Sequence, residues 1–329
     1  MTGWAHSRTE RDTRAGVRAE IAAWLPAAAD SPRYTRLATA MLDDPEMLDV
    51  VASIDNVPPM NLLFGAVQLL RGGPLPDLPY GEFREFVLGR RADIVEIGCT
   101  RRTQTNEVRR CAAILPFLAD AVAGFGAGLG PVHVVDVGAS AGLNLCLDLY
   151  AYDYGDVQVG AGALTLACEN RGGFEVPREV PRFATRTGLD LAPVDVEDAD
   201  AVAWLEALVW PEQSERLERL RAAIAIRRET DVTMVAGDAV DTLPRVVAGL
   251  PPGPVLIFHT IALYQMPSRA REELDSIVVD LARERPLARV SLEPRPGATY
   301  PLIHLGPRPY DSAPVAQAHP HGAWIARPV

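Results

Sequence analysis

Apolar and polar positions change their rhythm along this 329-residue chain near residue 131. Upstream, apolar residues recur at helical spacing between prolines and glycines, and no run alternates with the period of two that a half-buried strand needs. Ser31 followed by Pro32 predicts a capped helix over 32–42, and a second helix over 60–71 is stopped by Gly72 and Gly73. Downstream come short runs, most of them apolar throughout: VHVVDVG, LTLACE, VTMVAGDA, VLIFHT and RVSLEP. Such runs fit strands buried on both faces of a parallel sheet, separated by helical stretches at 143–150 and 269–285. The pattern predicts an all-helical region over 1–125 and an open α/β domain over 126–329, with ligand chemistry at the carboxyl ends of the strands. A segment at about 170–231 interrupts the domain with two amphipathic helices parted by Pro211, in which Trp204 and Trp210 are expected to pack.

Composition narrows the chemistry. All 32 basic residues are arginine. The absence of lysine removes a P-loop or kinase lysine, a Schiff-base lysine and a Ser-Lys dyad. The four cysteines (Cys99, Cys111, Cys146, Cys168) form no CxxC pair and read as buried small hydrophobes. His319 and His321 in AHPHG lack a third ligand partner and read as a turn between the last strands, so no metal is expected. A net charge of −11 opposes a phosphate backbone, so no nucleic-acid partner is expected. The opening residues are polar and contain acids, unlike a secretory leader, and the longest apolar stretch is broken by glycines and Pro131. A cytoplasmic protein without a membrane span is the expectation.

The stretch VVDVGASAG (134–142) admits two chemistries. Glycine, small residue, serine, small residue, glycine is the form of a hydrolase nucleophile elbow, with Ser140 as nucleophile and an acid and histidines following it. Against an elbow, this is the first clear strand of the chain and no HGGG-like oxyanion segment precedes it. A cofactor loop instead needs a strand ending in an acid, a turn of small residues and a helix start, the small side chains letting the ligand approach the backbone amides closely. Asp136, Gly138, Ala139, Ser140, Ala141 and Gly142 supply these, with Asn144 and Leu145 beginning the helix. A dinucleotide fingerprint fits poorly, because Ser140 and Leu143 would stand at its second and third glycines.

The loop resembles motif I of class I S-adenosylmethionine-dependent methyltransferases. Longer blocks resemble a bacterial family known only as a domain of unknown function: DVGASAGLNLCLDLYAYDYG, TRRTQTNEVRRCAAILP (100–116), RTGLDLAPVDVEDAD (186–200), WLEALVWPEQSERLERL (204–220) and AHPHG. The resemblance covers the chain from about residue 31 onward and implies a Rossmann-like methyltransferase sheet after the helical region. It implies that Gly138 to Gly142 lie against the methionine part of S-adenosylmethionine, with Asp136 supporting its ammonium or a bound water. Glu169 becomes the candidate for the ribose hydroxyls, with Asp153 or Asp156 as alternatives, and Asp238 with the Ala239 amide the candidate for the adenine. Asp238 would look the same as a helix cap. His259, at the end of VLIFHT, is either a base for the acceptor or a satisfied strand-end polar group.

Within 100–116, helical spacing puts Thr103, Asn106 and Arg110 on one face and Gln104 and Glu107 on the next. By itself this is a charged, solvated helix face. The family resemblance implies instead a polar face closing the cofactor or acceptor pocket, with Asn106 and Glu107 as candidate catalytic residues and Arg102 for an anionic acceptor group. The function expected is methyl transfer from S-adenosylmethionine to a small-molecule acceptor. The alternatives are a cofactor-binding protein without turnover and, behind it, a serine hydrolase using Ser140.

Overall fold

The first three helix starts described in the amino-terminal half are set by side chains that take an orphan amide. The computed structural model describes residues 13–126, 128–309 and 311–328, so most of the stretch read above for a leader lies outside the described residues. Thr13 caps α1 (Arg14–Trp24), Ser31 caps α2 (Pro32–Met41) and Asp44 caps α3 (Pro45–Ala52). The next helix, α4 (Pro59–Arg71), ends on Gly72 at φ 76°, a left-handed conformation that glycine adopts without strain. Both helices expected in this half form within one residue of their reading. They are followed by α5 (Tyr80–Gly89) and α6 (Arg91–Thr100).

The chain divides into two compact units, Thr2–Thr105 with Asp198–Glu218, and Asn106–Glu197 with Arg219–Val329. The helical unit thus ends before residue 125 and takes back part of the segment expected to belong to the sheet domain. Packing explains the return. Trp204, on α8 (Ala199–Ala207), is buried in a core with Trp24, Tyr34, Phe64 and Phe83, and Trp210 packs against the same cluster. Gly65 makes room for it, since a Cβ there would lie 3.0 Å from the Trp204 ring. The Gln68 side-chain amide donates to the carbonyls of Ala207 and Val209 at 2.8 Å, satisfying a buried polar group twice over.

In the second unit, α7 (Arg110–Gly124) precedes the sheet. Its parallel strands are β1 (His133–Val137), β6 (Thr185–Asp190), β7 (Thr233–Ala236), β8 (Val255–Thr260) and β9 (Leu287–Glu293). Antiparallel β10 (Leu302–Leu305), β11 (Ala316–Ala318) and β12 (Trp324–Ala326) extend it, and β5 (Glu169–Asn170) closes the far edge. The nine-stranded order is β5-β12-β11-β10-β9-β8-β1-β6-β7. The chain enters at central β1, moves outward through β6 and β7, then crosses to β8 and β9 on the other side. The strand order therefore reverses between β1 and β8, the topological switch point where open α/β sheets bind ligands.

Side chains alternate across β1. Val135 and Val137 enter an apolar cluster with residues of α10 (Ala239–Gly249) and α11 (Ser268–Glu284), which places Asp136 on the other face of the sheet, where α7 packs on β8 and β9. The helix expected over 143–150 is a 3-10 helix, Leu143–Leu149, and the chain then forms a small separate sheet of β2 (Ala151–Asp153), β3 (Gln158–Val159) and β4 (Thr165–Ala167). Three buried tyrosines staple this detour. Tyr150, Tyr152 and Tyr154 donate their hydroxyls to the carbonyls of Leu143, Leu147 and Ala112 at 2.5–2.7 Å.

The second strand of the parallel sheet is β6, which the apolar pattern missed. Its first half is polar, and Arg186 is tolerated there because it pairs with buried Asp148 at 2.5 Å. Among the described residues no helix is long and apolar enough to cross a membrane.

Gly188 of β6 joins fold to site, because a Cβ there would lie 2.6 Å from Met234 Sδ and 2.8 Å from Ala139 Cβ in the glycine loop. Gly188→Val is expected to destabilise the protein by about 1–3 kcal/mol through overpacking, read by urea denaturation. A variant as stable as wild type would show that the loop does not rest on this strand.

Candidate functional site

The five parallel strands deliver their carboxyl ends to one edge, and with them the β1 loop, Asp190, Asp238, the turn after Thr260, and Glu293. The only two non-glycine residues with positive φ among those described are Ser140 (51°) and Ile261 (54°), just beyond adjacent β1 and β8. A β-branched residue in this region is strained, and such strain gathers at functional sites.

Every amide of the β1 loop is already spoken for. Those of Gly138 and Ala139 bond the Leu189 carbonyl at 2.8 and 3.0 Å, and that of Gly142 bonds Ala139 at 2.7 Å. Ser140 donates its amide to Asp190 Oδ2 at 2.8 Å and Ala141 donates to Asn106 Oδ1 at 3.3 Å. The helix that follows is only a seven-residue 3-10 turn. The loop therefore offers no anion cradle, contrary to the amide-to-ligand approach expected from its glycines.

What this edge presents is carboxylate. Asp136 is 1% exposed, and neither of its oxygens meets a donor among the described residues. Burial pushes its carboxyl well above the ordinary range, the Asp190 charge pushes it further, and Arg110 opposes both. Asp190 accepts from the Ser140 and Ala192 amides at 2.8 and 2.9 Å, which aim it at the end of β6. A carboxylate has about four acceptor directions, so two amides can orient it while it serves a ligand.

Asn106 does reach the loop: its side-chain nitrogen donates to Ser140 Oγ at 2.6 Å. It does so from an irregular segment, because residues 101–107 are not helical and the first helical residue is Arg110. The shared helix face expected for Thr103, Asn106 and Arg110 does not exist. Glu107 is buried, accepts from the Arg109 amide at 3.2 Å and lies 3.6 Å from Arg219, which makes it part of an ion pair. Asn144 donates to Thr260 Oγ1 at 3.3 Å, tying the loop's far side to β8. Arg110 clamps the same place, donating to the carbonyls of Thr260 and Pro320, and so brings the His319–Gly322 turn to the end of β8.

Ser140 has Asn106 for its hydroxyl partner and no histidine among the described residues, so no nucleophile–base pair is formed. His259 is fully buried with both ring nitrogens engaged. Arg289 Nε can only donate, at 3.1 Å, so His259 Nε2 is the acceptor and Nδ1 carries the proton, donated to Glu293 Oε1 at 2.7 Å. Burial lowers the imidazole from its ordinary value and the arginine lowers it further, while Glu293 opposes them. His259 is thus a neutral strut with no free lone pair, the satisfied strand-end group of its two readings. Arg289 continues the chain to Asp275 at 2.6 Å.

Glu169 stands six places from β1 in the strand order, exposed and paired with Arg171 at 2.7 Å, so it is not at this edge. Asp153 belongs to the small sheet and accepts from the Gly155 amide. The acid ending the second parallel strand is Asp190, within the TGLDL run that hydropathy passed over. Asp238 follows β7 and caps α10, accepting from the Val240 amide at 2.8 Å, with Ala239 as the first helical residue.

Sequence reasoning also missed Glu293. Besides His259, it accepts from the amides of Ala262, Leu263 and Tyr264 at 3.0–3.2 Å, gathering the turn after β8. Ala262 in turn meets Gly138, where a Cβ would come within 2.3 Å. Its signal was the acid at the end of RVSLEP.

The family signature covers residues 18–327, nearly the whole chain, under the description "uncharacterized protein conserved in bacteria (DUF2332)". The chain belongs to this bacterial family. No curated protein matches it. For this DUF2332 protein, then, the chemistry must be read from the edge itself.

Burial alone would raise the Glu293 carboxyl, but the His259 bond and the turn amides outweigh it and hold it below the ordinary range. Its charge therefore stabilises the native state above the unfolded glutamate range, near pH ~4.3, and that stabilisation is lost as pH falls through the lowered native value. Glu293→Ala is expected to cost about 3–5 kcal/mol at pH 7. The deficit of Glu293→Gln should shrink toward pH 3. Denaturation curves for both variants across pH 3–8 check this, and a pH-independent deficit would contradict it.

Proposed function

We propose that this protein binds S-adenosylmethionine at the carboxyl edge of β1, β6 and β7 and transfers its methyl group to a small-molecule acceptor. The observation that carries the proposal is the exchange of roles at the loop: its amides are consumed internally while acids stand at the ends of β1 and β6. A pyrophosphate would find no amides there. A ligand bearing an ammonium and vicinal hydroxyls finds complementary acceptors.

The residues fit such a cofactor. Asp136 is a buried acid, both of whose oxygens lack a hydrogen-bond partner among the described residues, and so suits an ammonium. Ser140 shapes the loop, and its amide is held by Asp190, the acid at the end of β6. Asp190 takes the ribose role that Glu169 cannot. Asp238 and the Ala239 amide stand at the end of β7 for the adenine edge. The cofactor supplies an electrophilic methyl on sulfonium, and this chain contributes alignment and exclusion of water. Tyr264, 42% exposed on the turn held by Glu293, offers an aromatic face at the switch point.

Neither candidate base is free here, since His259 is locked and Glu107 is ion-paired. Methylation then suits an acceptor that needs no deprotonation by the protein. The same feature favours, as the second reading, a protein that binds the cofactor or its demethylated product without turnover.

Calorimetric titration with S-adenosylhomocysteine, beside NAD, tests the site. Saturable binding is expected for S-adenosylhomocysteine alone, weakened at least tenfold, about 1.4 kcal/mol, by Asp190→Ala and unchanged by Glu169→Ala. Folded, ligand-free protein that does not bind it would end the proposal. An active-site fluorophosphonate is expected to leave Ser140 unmodified by mass spectrometry. Labelling lost in Ser140→Ala would restore the hydrolase.

A further inference from the structure

Asp136 is unlike the other acids at this edge. Asp190, Asp238 and Glu293 each accept backbone amides, whereas Asp136 accepts from no donor among the described residues and is 1% exposed. An ionised carboxylate in that position would be desolvated and uncompensated, a state that costs several kcal/mol. The groups that face it are few. Asp190, from the end of β6, repels a second negative charge. Arg110, from α7, attracts one, but donates to the Thr260 and Pro320 carbonyls. Cys111, also from α7, is a buried thiol held neutral by desolvation. Its strand neighbours opposite, Gly188 and Phe258, carry no charge.

Resting on the cofactor-site reading above, we infer that Asp136 is a neutral acid in the free protein and exchanges its proton for the ligand's ammonium. The exchange balances without any covalent change in the ligand. The carboxylic acid and the incoming ammonium become a carboxylate–ammonium pair, and one proton passes to the buffer. The ammonium brings the N–H donors and the positive charge that the ionised carboxylate lacks. Binding is then proton-coupled: as long as free Asp136 holds its proton, affinity for an ammonium ligand rises about tenfold per pH unit.

The experiment is calorimetric titration of the full chain with S-adenosylhomocysteine at one pH, in phosphate and in Tris, whose ionisation heats differ widely. Expected are heats that differ by the release of about one proton per ligand bound. Methylthioadenosine, which shares the nucleoside and thioether but has no ammonium, should give buffer-independent heats, as should S-adenosylhomocysteine with Asp136→Asn. S-adenosylhomocysteine binding with buffer-independent heats in wild type overturns the proton exchange and leaves the cofactor site standing. Proton release with methylthioadenosine overturns the assignment to the ammonium. No binding of either overturns the cofactor reading and this inference together.

A ligand-free measurement judges the neutral acid by itself. The raised carboxyl keeps its proton in the native state while the unfolded aspartate loses it above about pH 3.9, so stability falls as pH rises toward the native value. Asp136→Asn should therefore be more stable than wild type at pH 7, with the gap closing toward pH 4. Equal stability at every pH would mean that Asp136 carries its charge unaided, and the inference would fail.

Discussion

The bond between the Ser140 amide and the Asp190 carboxylate is the constraint on which the carboxyl edge depends. A residue other than glycine held at positive φ costs about 1–3 kcal/mol unless its surroundings over-determine it. Here the determination comes from a charge-assisted bond to the end of the neighbouring strand, helped by Asn106, which bonds both the Ser140 hydroxyl and the Ala141 amide. The loop's polarity is thereby inverted. Its donors turn inward to satisfy its own strands, and the groups left to define the edge are acids.

A second buried network repeats this economy of charge. Asp275, Arg289, His259 and Glu293 alternate negative, positive, neutral and negative, each bonded to the next, with Glu293 ending on three amides of the turn after β8. Residues of catalytic type are spent here on placing a turn. Ala262 of that turn meets Gly138, so the two strained segments at the switch point brace one another. Beside these bonded acids Asp136 acquires meaning, because both of its buried oxygens lack a donor among the described residues.

The helical unit owes its integrity to a different interaction, the burial of aromatic rings. Tyr34 and Phe64 stack with centroids 3.9 Å apart, and Trp24 and Trp210 pack around them. The segment Asp198–Glu218 returns to this unit because its tryptophans bury there and Gln68 holds its carbonyls. Membership in the DUF2332 family extends over both units, since residues 18–327 match as one.

Periodicity and punctuation alone determined the helical half, the parallel strands whose residues are apolar on both faces, and the glycine loop after β1. These are local properties, set by side-chain spacing, caps and glycine dihedrals. Asp136, Gly138, Ser140, Gly142 and Asn144 were legible because they sit in or beside that loop, whereas Asn106 was singled out by its place in the 100–116 block, on a helix face that does not form. Tertiary structure decided the rest. Glu169 and Asp190 are both acids at strand ends, and only strand order tells which borders β1. His259 ends a strand as a base would, and only its buried neighbours Arg289 and Glu293 show that both nitrogens are taken. The polar half of β6 hid a central strand because an ion pair with Asp148 lies 38 positions away in the chain. Pairing across such separations leaves no periodic trace, so it becomes visible only when the chain has folded.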